Sequence, residues 1–324
     1  MSTAVAGTEH AGPTSAASTV LRRTAAVPTS DGAVLHTTID GSDDAPVTLV
    51  LAHGWTLSQA AWDDVAALLA PRVAARHLRL IRYDQPGHGR STWADGEISI
   101  DQLGTDLGEL IDQLAPSGPL VLAGHSMGGM TVMCLAASRP ELFGDRVRGV
   151  ALVSTAAGDL DPEPTTAAER VKRKLTPGAL TAALAAARLV ERLRRLLPPG
   201  SPRHQKMVRD LLYGADATDA MVLAGAEIMH ASTVRAFTAF LPALGAHDKR
   251  TELKALAGVP VEILVGDSDK LTPKRHSSEM AESLPDAALH IVDRTGHMLP
   301  QERPGLVTDA LERLLDAAAT GSGA

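Results

Sequence analysis

The sequence predicts an α/β protein built on a mostly parallel sheet with helices on both faces, interrupted by a helical insertion. Two observations carry this. Short, nearly continuous apolar runs alternate with stretches of helical periodicity. That alternation then stops over 156–256, where Ala, Leu and Arg fill helical stretches punctuated by prolines, and resumes afterwards. The 324 residues, 44% hydrophobic and 21% charged, have the balance of a soluble globular chain with a sizeable core.

The elements follow in order. Residues 22–27 and 33–39 read as two short strands around a turn containing Asp31-Gly32, a hairpin signal. A buried-type strand over 47–52 runs into His53-Gly54-Trp55, and 58–70 reads as a helix ending before Pro71. The strand over 78–83 is interrupted by Arg79 and Arg82 and leads into the loop 84–91. Ile100, Leu103, Leu107, Leu110, Ile111 and Leu114 recur at helical spacing, with Ser99 as N-cap. A strand at 120–123, a helix to about Ser138 and a strand over 148–154 complete the first half. Beyond the insertion, with helices expected over 181–197, 219–230 and 233–241, come a strand at 261–265, a helix at 274–284, a strand at 288–292 and a closing helix to about Ala317. This divides the chain into a disordered leader (1–20), a first core part (21–155), the insertion (156–256), a second core part (257–318) and a disordered tail (319–324).

Composition narrows the function classes. A net charge of −7 favours neither nucleic acid nor an anionic membrane surface. No apolar run is long enough to span a bilayer. The N-terminus lacks the basic and apolar regions of a secretory signal, and the single cysteine, Cys134, rules out an intramolecular disulfide, so a cytoplasmic location is expected. Aromatic residues make up only 2% of the chain, which leaves the core to aliphatic side chains.

The chemistry centres on Gly124-His125-Ser126-Met127-Gly128, a GxSxG string between a strand and a helix. A serine on so sharp a turn needs glycine on both flanks, because a Cβ there would collide with the returning chain. The turn also sets the Met127 N–H at a helix start, where it favours a developing oxyanion. A serine hydroxyl needs a base, and the base an orienting carboxylate. In the order Ser, Asp, His, these are Asp269, in the loop after the penultimate strand, and His297, in the loop after the last. Asp267 is the rival acid, though its place after Gly266 suits a turn role. The second oxyanion donor is the Trp55 N–H. Trp55, Met127 and Met298 are candidate pocket residues. His53, His88 and His125 are read as loop-fixing, and His276 as a helix-surface residue. No spacing resembles a zinc site, so neither metal nor cofactor is expected.

His53-Gly54-Trp55, the loop from Asp84 to Ser91, Gly124 to Gly129, Gly266 to Pro273 and Gly296-His297 together resemble the α/β-hydrolase superfamily, and most of all its bacterial esterases, monoacylglycerol-type lipases and cofactor-free haloperoxidase-like group. The resemblance covers about 22–317. It implies the α/β-hydrolase fold, with the insertion as cap domain, and a Ser126–Asp269–His297 triad. Serine at position 126 argues against the dehalogenases and epoxide hydrolases of this fold, which use aspartate there. Met127 departs from the prolyl-aminopeptidase pattern. The expected activity is hydrolysis of a small-molecule carboxylic ester, thioester or lactone through an acyl-enzyme. Acyl transfer or perhydrolysis, amide cleavage, and a ligand-binding protein on a hydrolase scaffold are the alternatives.

Overall fold

The computed structural model describes residues 21–160 and 198–320. The leader, most of the tail, the expected helix over 181–197 and the basic clusters at 172–174 and 192–195 lie outside them.

Eight strands form one sheet in the order β1-β2-β4-β3-β5-β6-β7-β8. They are β1 (Arg22–Pro28), β2 (Val34–Asp40), β3 (Thr48–Ala52), β4 (Arg79–Tyr83), β5 (Leu120–His125), β6 (Val147–Val153), β7 (Val261–Gly266) and β8 (Ala288–Val292). The hairpin β1-β2 joins antiparallel at one edge, and every pairing from β4 to β8 is parallel. The α-helices are α1 (Asp63–Ala74), α2 (Ile100–Leu114), α3 (Met127–Ser138), α4 (Pro202–Leu212), α5 (Asp219–Ala231), α6 (Val234–Ala246), α7 (Lys274–Ser283), α8 (Leu299–Glu302) and α9 (Pro304–Thr320). No helix among the described residues is long and apolar enough to cross a membrane.

The continuous apolar runs of the central strands follow from burial on both faces. Successive side chains point to opposite sides of a strand, so Leu120 and Leu122 of β5 join a core with Leu107, Ile111, Val132 and Leu135 from α2 and α3. Val121 and Ala123 face the other way, onto Trp62, Val65, Leu69, Leu311 and Leu314 around α1 and α9. The two arginines that break the β4 run are buried and paired: Arg82 meets Asp40 at 3.3 Å and also Asp63, while Arg79 donates to the Leu114 carbonyl at 2.6 Å and meets Asp43 at 3.0 Å. Their charges are thus satisfied by acids and a carbonyl around the antiparallel end of the sheet, and they do not interrupt the apolar sandwich.

Several boundaries differ from expectation. The helix expected to stop before Pro71 runs through it to Ala74, because Val73 is buried in the core and Arg72 pairs with Glu312 and Asp316 on α9. Its first turn, Gln59–Trp62, is a tighter 3-10 turn. Helix α6 likewise passes through Pro242, and buried Ala243 and Leu244 beyond it hold the last turn against the core. The closing helix reaches Thr320, two residues into the expected tail. Between β6 and β7 every described element is helical, as the loss of strand signals predicts.

Candidate active site

Strand β5 delivers Ser126 to the carboxyl edge of the sheet, where β3, β4, β7 and β8 also end. Ser126 takes φ 55° and ψ −121°, a left-handed conformation that L residues rarely adopt, and serves as N-cap of α3. The flanking glycines make this possible. A Cβ on Gly124 would come closer than 3.0 Å to the backbone of Gly128 and Gly129, and one on Gly128 would strike the Ala52 and His53 carbonyls. The Ser126 N–H bonds to the Val153 carbonyl at 2.9 Å, and the Thr155 hydroxyl donates to the Ser126 carbonyl at 2.8 Å. The turn is thereby tied to β6. Ser126 keeps some exposure while the residues on either side of it are buried.

His297 and Asp269 come together as the loop order predicts. His297 Nδ1 lies 2.8 Å from Asp269 Oδ2. With the carboxylate accepting there, Nδ1 carries the proton and Nε2 is left as the acceptor. Asp269 is itself held by three donors: the N–H groups of Leu271 and Thr272, at 2.9 and 3.0 Å on Oδ1, and the Thr272 hydroxyl, at 2.9 Å on Oδ2. Burial alone would raise its pKa, but the attraction between the carboxylate and the His297 ring and these hydrogen bonds outweigh burial and hold the carboxyl below the ordinary aspartate value. Asp267 is half-buried, accepts from the Ser268 hydroxyl at 2.8 Å and forms no hydrogen bond or ion pair with His297 among the described residues. No hydrogen bond joins Ser126 to His297 among the described residues. The link between the two loops is His125, whose Nε2 lies 2.8 Å from the His297 carbonyl and whose ring stands 4.9 Å from the His297 ring.

The His53-Gly54-Trp55 loop packs directly on the turn: a Cβ on Gly54 would fall 3.1 Å from the Ser126 Cβ. Among the described residues the N–H groups of Trp55 and Met127 meet no hydrogen-bond acceptor. His53 braces this loop, since its Nε2 accepts from the Gln85 N–H at 2.9 Å while the Gln85 amide donates back to the His53 carbonyl at 2.5 Å. Asp84 plays the matching part for the loop 84–91, accepting from the N–H groups of Gln59 at 2.8 Å and Arg90 at 2.9 Å. Burial pushes His88 and His125 down to about 3, so both are neutral near pH 7.

Of the three pocket candidates, Trp55 alone keeps exposed surface. Met127 packs against Ile100, Met130 and Phe240, and Met298 against Leu57, Val208 and Leu212; both are fully buried. The indole of Trp55 stacks on Phe237 at 4.6 Å and donates from Nε1 to the Ala236 carbonyl at 3.1 Å, which docks α6 onto this loop. His276, expected at the surface, is buried at the base of α7 and pushed down by that burial. One face of this polar helix packs on the sheet, and His276 shares that face with Met280.

Four contributors to this region are not among the residues the sequence predicts for it. Helix α4 supplies the Leu212 carbonyl that accepts from the His297 N–H at 2.7 Å. Thr272 braces Asp269, and Thr155 braces the Ser126 turn. Glu302, on a four-residue helix read as loop, accepts from two backbone N–H groups beside the histidine.

The geometry can be set beside known proteins. A model of the Alpha/beta hydrolase family matches residues 49–310. The pimeloyl-(acyl-carrier protein) methyl ester esterase of Nitrosomonas europaea is 27% identical over 277 residues, covering 81% of this chain and 91% of the relative. The 3-oxoadipate enol-lactonase 2 of Acinetobacter baylyi is 28% identical over 244 residues, 73% of this chain and 78% of its own. Among solved structures, the enol-lactonase from Burkholderia xenovorans LB400 superposes with a TM-score of 0.68 at 25% identity, covering 91% of this chain and 100% of that chain. The thermophilic esterase from Thermogutta terrifontis reaches the same TM-score of 0.68 at 23% identity over 92% of this chain and 99% of that chain, a likeness of fold.

Proposed function

The chain belongs to the alpha/beta hydrolase family, and from that premise we propose that it is a serine hydrolase cleaving carboxylic esters, cyclic esters included, through an acyl-enzyme on Ser126. The observation that carries this is the strained Ser126 turn at the end of β5 together with the 2.8 Å Asp269–His297 pair on the neighbouring loops. The named activities of the relatives, a methyl ester esterase and an enol-lactonase, support the bond type.

In this reading His297 Nε2 takes the proton from Ser126 Oγ as the oxygen attacks the acyl carbonyl. The negative charge that develops on the carbonyl oxygen is received by the Met127 and Trp55 N–H groups, which meet no acceptor within the described protein. Asp269, kept ionised by its donors, stabilises the imidazolium and fixes the tautomer. The imidazolium returns its proton to the departing alcohol, or, in a lactone, to the ring oxygen that stays attached to the acyl group. Water then enters and loses a proton to His297 as it attacks the acyl carbon; the acyl–Oγ bond breaks, His297 returns the proton to Ser126 Oγ, and the acid leaves.

Intact-mass measurement after treatment with a fluorophosphonate tests the nucleophile. We expect one adduct on the wild type and none on Ser126→Ala, with ester turnover in the variant reduced by a factor on the order of 10⁶. An adduct on folded Ser126→Ala, or turnover close to wild type, would place the nucleophile elsewhere.

A further inference from the structure

Glu302 is a buried carboxylate that the chemistry above does not use. It is 3% exposed, and no ion pair neutralises it among the described residues. A buried charge is tolerated where strong donors satisfy it, and here both donors are main-chain groups from different parts of the chain. Oε2 accepts from the Gly214 N–H at 2.8 Å, in the segment that follows α4. Oε1 accepts from the Gly296 N–H at 2.9 Å, one residue before His297.

These two segments touch backbone to backbone. A Cβ on Gly296 would come closer than 3.0 Å to the Leu212 carbonyl and the Gly214 nitrogen, and a Cβ on Gly214 would strike the Arg294 carbonyl and Thr295. The Leu212 carbonyl receives the N–H groups of both His297, at 2.7 Å, and Met298, at 3.2 Å. On the side of β7, a Cβ on Gly266 would collide with the Thr295 and Gly296 carbonyls. The neighbour of Glu302 adds a parallel tie: Gln301 Oε1 accepts from the Tyr213 hydroxyl at 2.5 Å, and that hydroxyl lies 2.9 Å from the Met221 carbonyl. The main chain of His297 is thus seated on the segment after α4, and Glu302 bonds to both partners of that seat.

We propose that Glu302 is a positioning residue for His297: its two carboxylate oxygens lock the histidine loop to the helical segment at Gly214 and so fix where the imidazole stands between Asp269 and Ser126. This rests on the reading of His297 as the base. A carboxylate suits the task because both oxygens accept, whereas an amide offers one acceptor and turns its NH₂ toward an N–H. Glu302→Gln therefore releases one of the two segments while keeping size and shape. Glu302→Asp keeps both acceptors but is one methylene short.

The test uses the full chain with Glu302→Gln and Glu302→Asp, measuring kcat and KM on one ester, the rate of fluorophosphonate adduct formation, thermal unfolding, and the downfield proton resonance of the Nδ1–H shared by His297 and Asp269. For Glu302→Gln we expect kcat and adduct rate to fall by about 10- to 100-fold, the cost of a base misplaced by about an ångström. KM should stay within about twofold and the resonance should move or vanish below the unfolding temperature. Glu302→Asp should recover part of the loss. A folded Glu302→Gln with wild-type kcat, or with an unmoved resonance whatever its kcat, overturns the proposal. Should Glu302→Gln fail to fold, Glu302→Asp read by the same criteria decides. A wild type that forms no adduct defeats the Ser126 reading instead, and the resonance still reports whether Glu302 sets the His297–Asp269 geometry.

Discussion

The Ser126 turn and the His297 loop reach the same edge of the sheet by different means. Ser126 is shaped from close at hand: Gly124 and Gly128 clear the space, and β5 and α3 supply the strand and helix on either side. His297 is shaped from afar, by Asp269 after β7, by the Leu212 carbonyl at the end of α4, by His125 and by Glu302. A pentapeptide therefore encodes the first, and only the folded chain assembles the second. The proposed base, unlike the proposed nucleophile, is held by the helical segment between β6 and β7 through the Leu212 carbonyl, so disturbance of that segment should reach catalysis through the histidine.

The largest effect expected from breaking the long-range arm is at Asp269. Asp269→Asn should lower kcat by a factor on the order of 10³ to 10⁴, since an amide no longer enforces the tautomer. Asp267→Asn should stay within about twofold, and steady-state kinetics on one ester compares them. The reverse ranking would move the acid to Asp267. The same carboxylate sets an acid limit. Its folded pKa lies below the unfolded value of about 3.9, so its contribution to stability is fully present above that value and lost as pH falls through the lower folded one. Asp269→Asn should flatten that acid limb when unfolding is followed against pH.

Breaking the local arm should register as stability first. Gly128→Ala forces a Cβ onto the Ala52 and His53 carbonyls, which as backbone cannot step aside. We expect a loss of about 1–3 kcal/mol in denaturant unfolding, the usual cost of overpacking, with turnover falling as the turn is displaced. Gly305→Ala, at a helical glycine whose Cβ would meet open space, is the control. It should be neutral or stabilising by up to about 1 kcal/mol. Equal effects at the two glycines would mean that the turn has slack its geometry does not suggest.

This difference explains what could be read in advance. The alternating strands, the hairpin at Asp31-Gly32, the Ser99 cap, which accepts from the Gln102 N–H at 3.1 Å, and the Ser126 turn all rest on neighbours within a few residues. The order of Ser126, Asp269 and His297 along the chain was legible because strand ends gather at one edge of a parallel sheet. Pro71 and Pro242 misled, because burial of Val73 and of Ala243 and Leu244 outweighs one missing hydrogen bond in each helix. Glu302, the Leu212 carbonyl and buried His276 were invisible for the opposite reason. The Gly214 N–H that Glu302 receives and the His297 N–H that the Leu212 carbonyl receives come from distant parts of the chain, the burial of His276 comes from packing of its helix in the fold, and nothing nearby in sequence marks such contacts.

Trp55 belongs to both arms and gives the smallest, most specific test. Its main-chain N–H, which meets no acceptor among the described residues, is the proposed second oxyanion donor, while its indole holds α6 through Ala236 and Phe237. Trp55→Phe keeps the backbone donor and an aromatic ring but removes the Nε1–H bond to the Ala236 carbonyl, an interaction of about 1 kcal/mol. If the helical segment shapes substrate binding and leaves the chemistry to the loops, KM should rise a few-fold, most for bulky acyl groups, while kcat stays within about twofold. A fall in kcat with unchanged KM would instead mean that the indole sets the oxyanion donor itself. The local frame around Ser126 would then extend into the helical segment, and the division between the two arms would no longer hold on this side of the site.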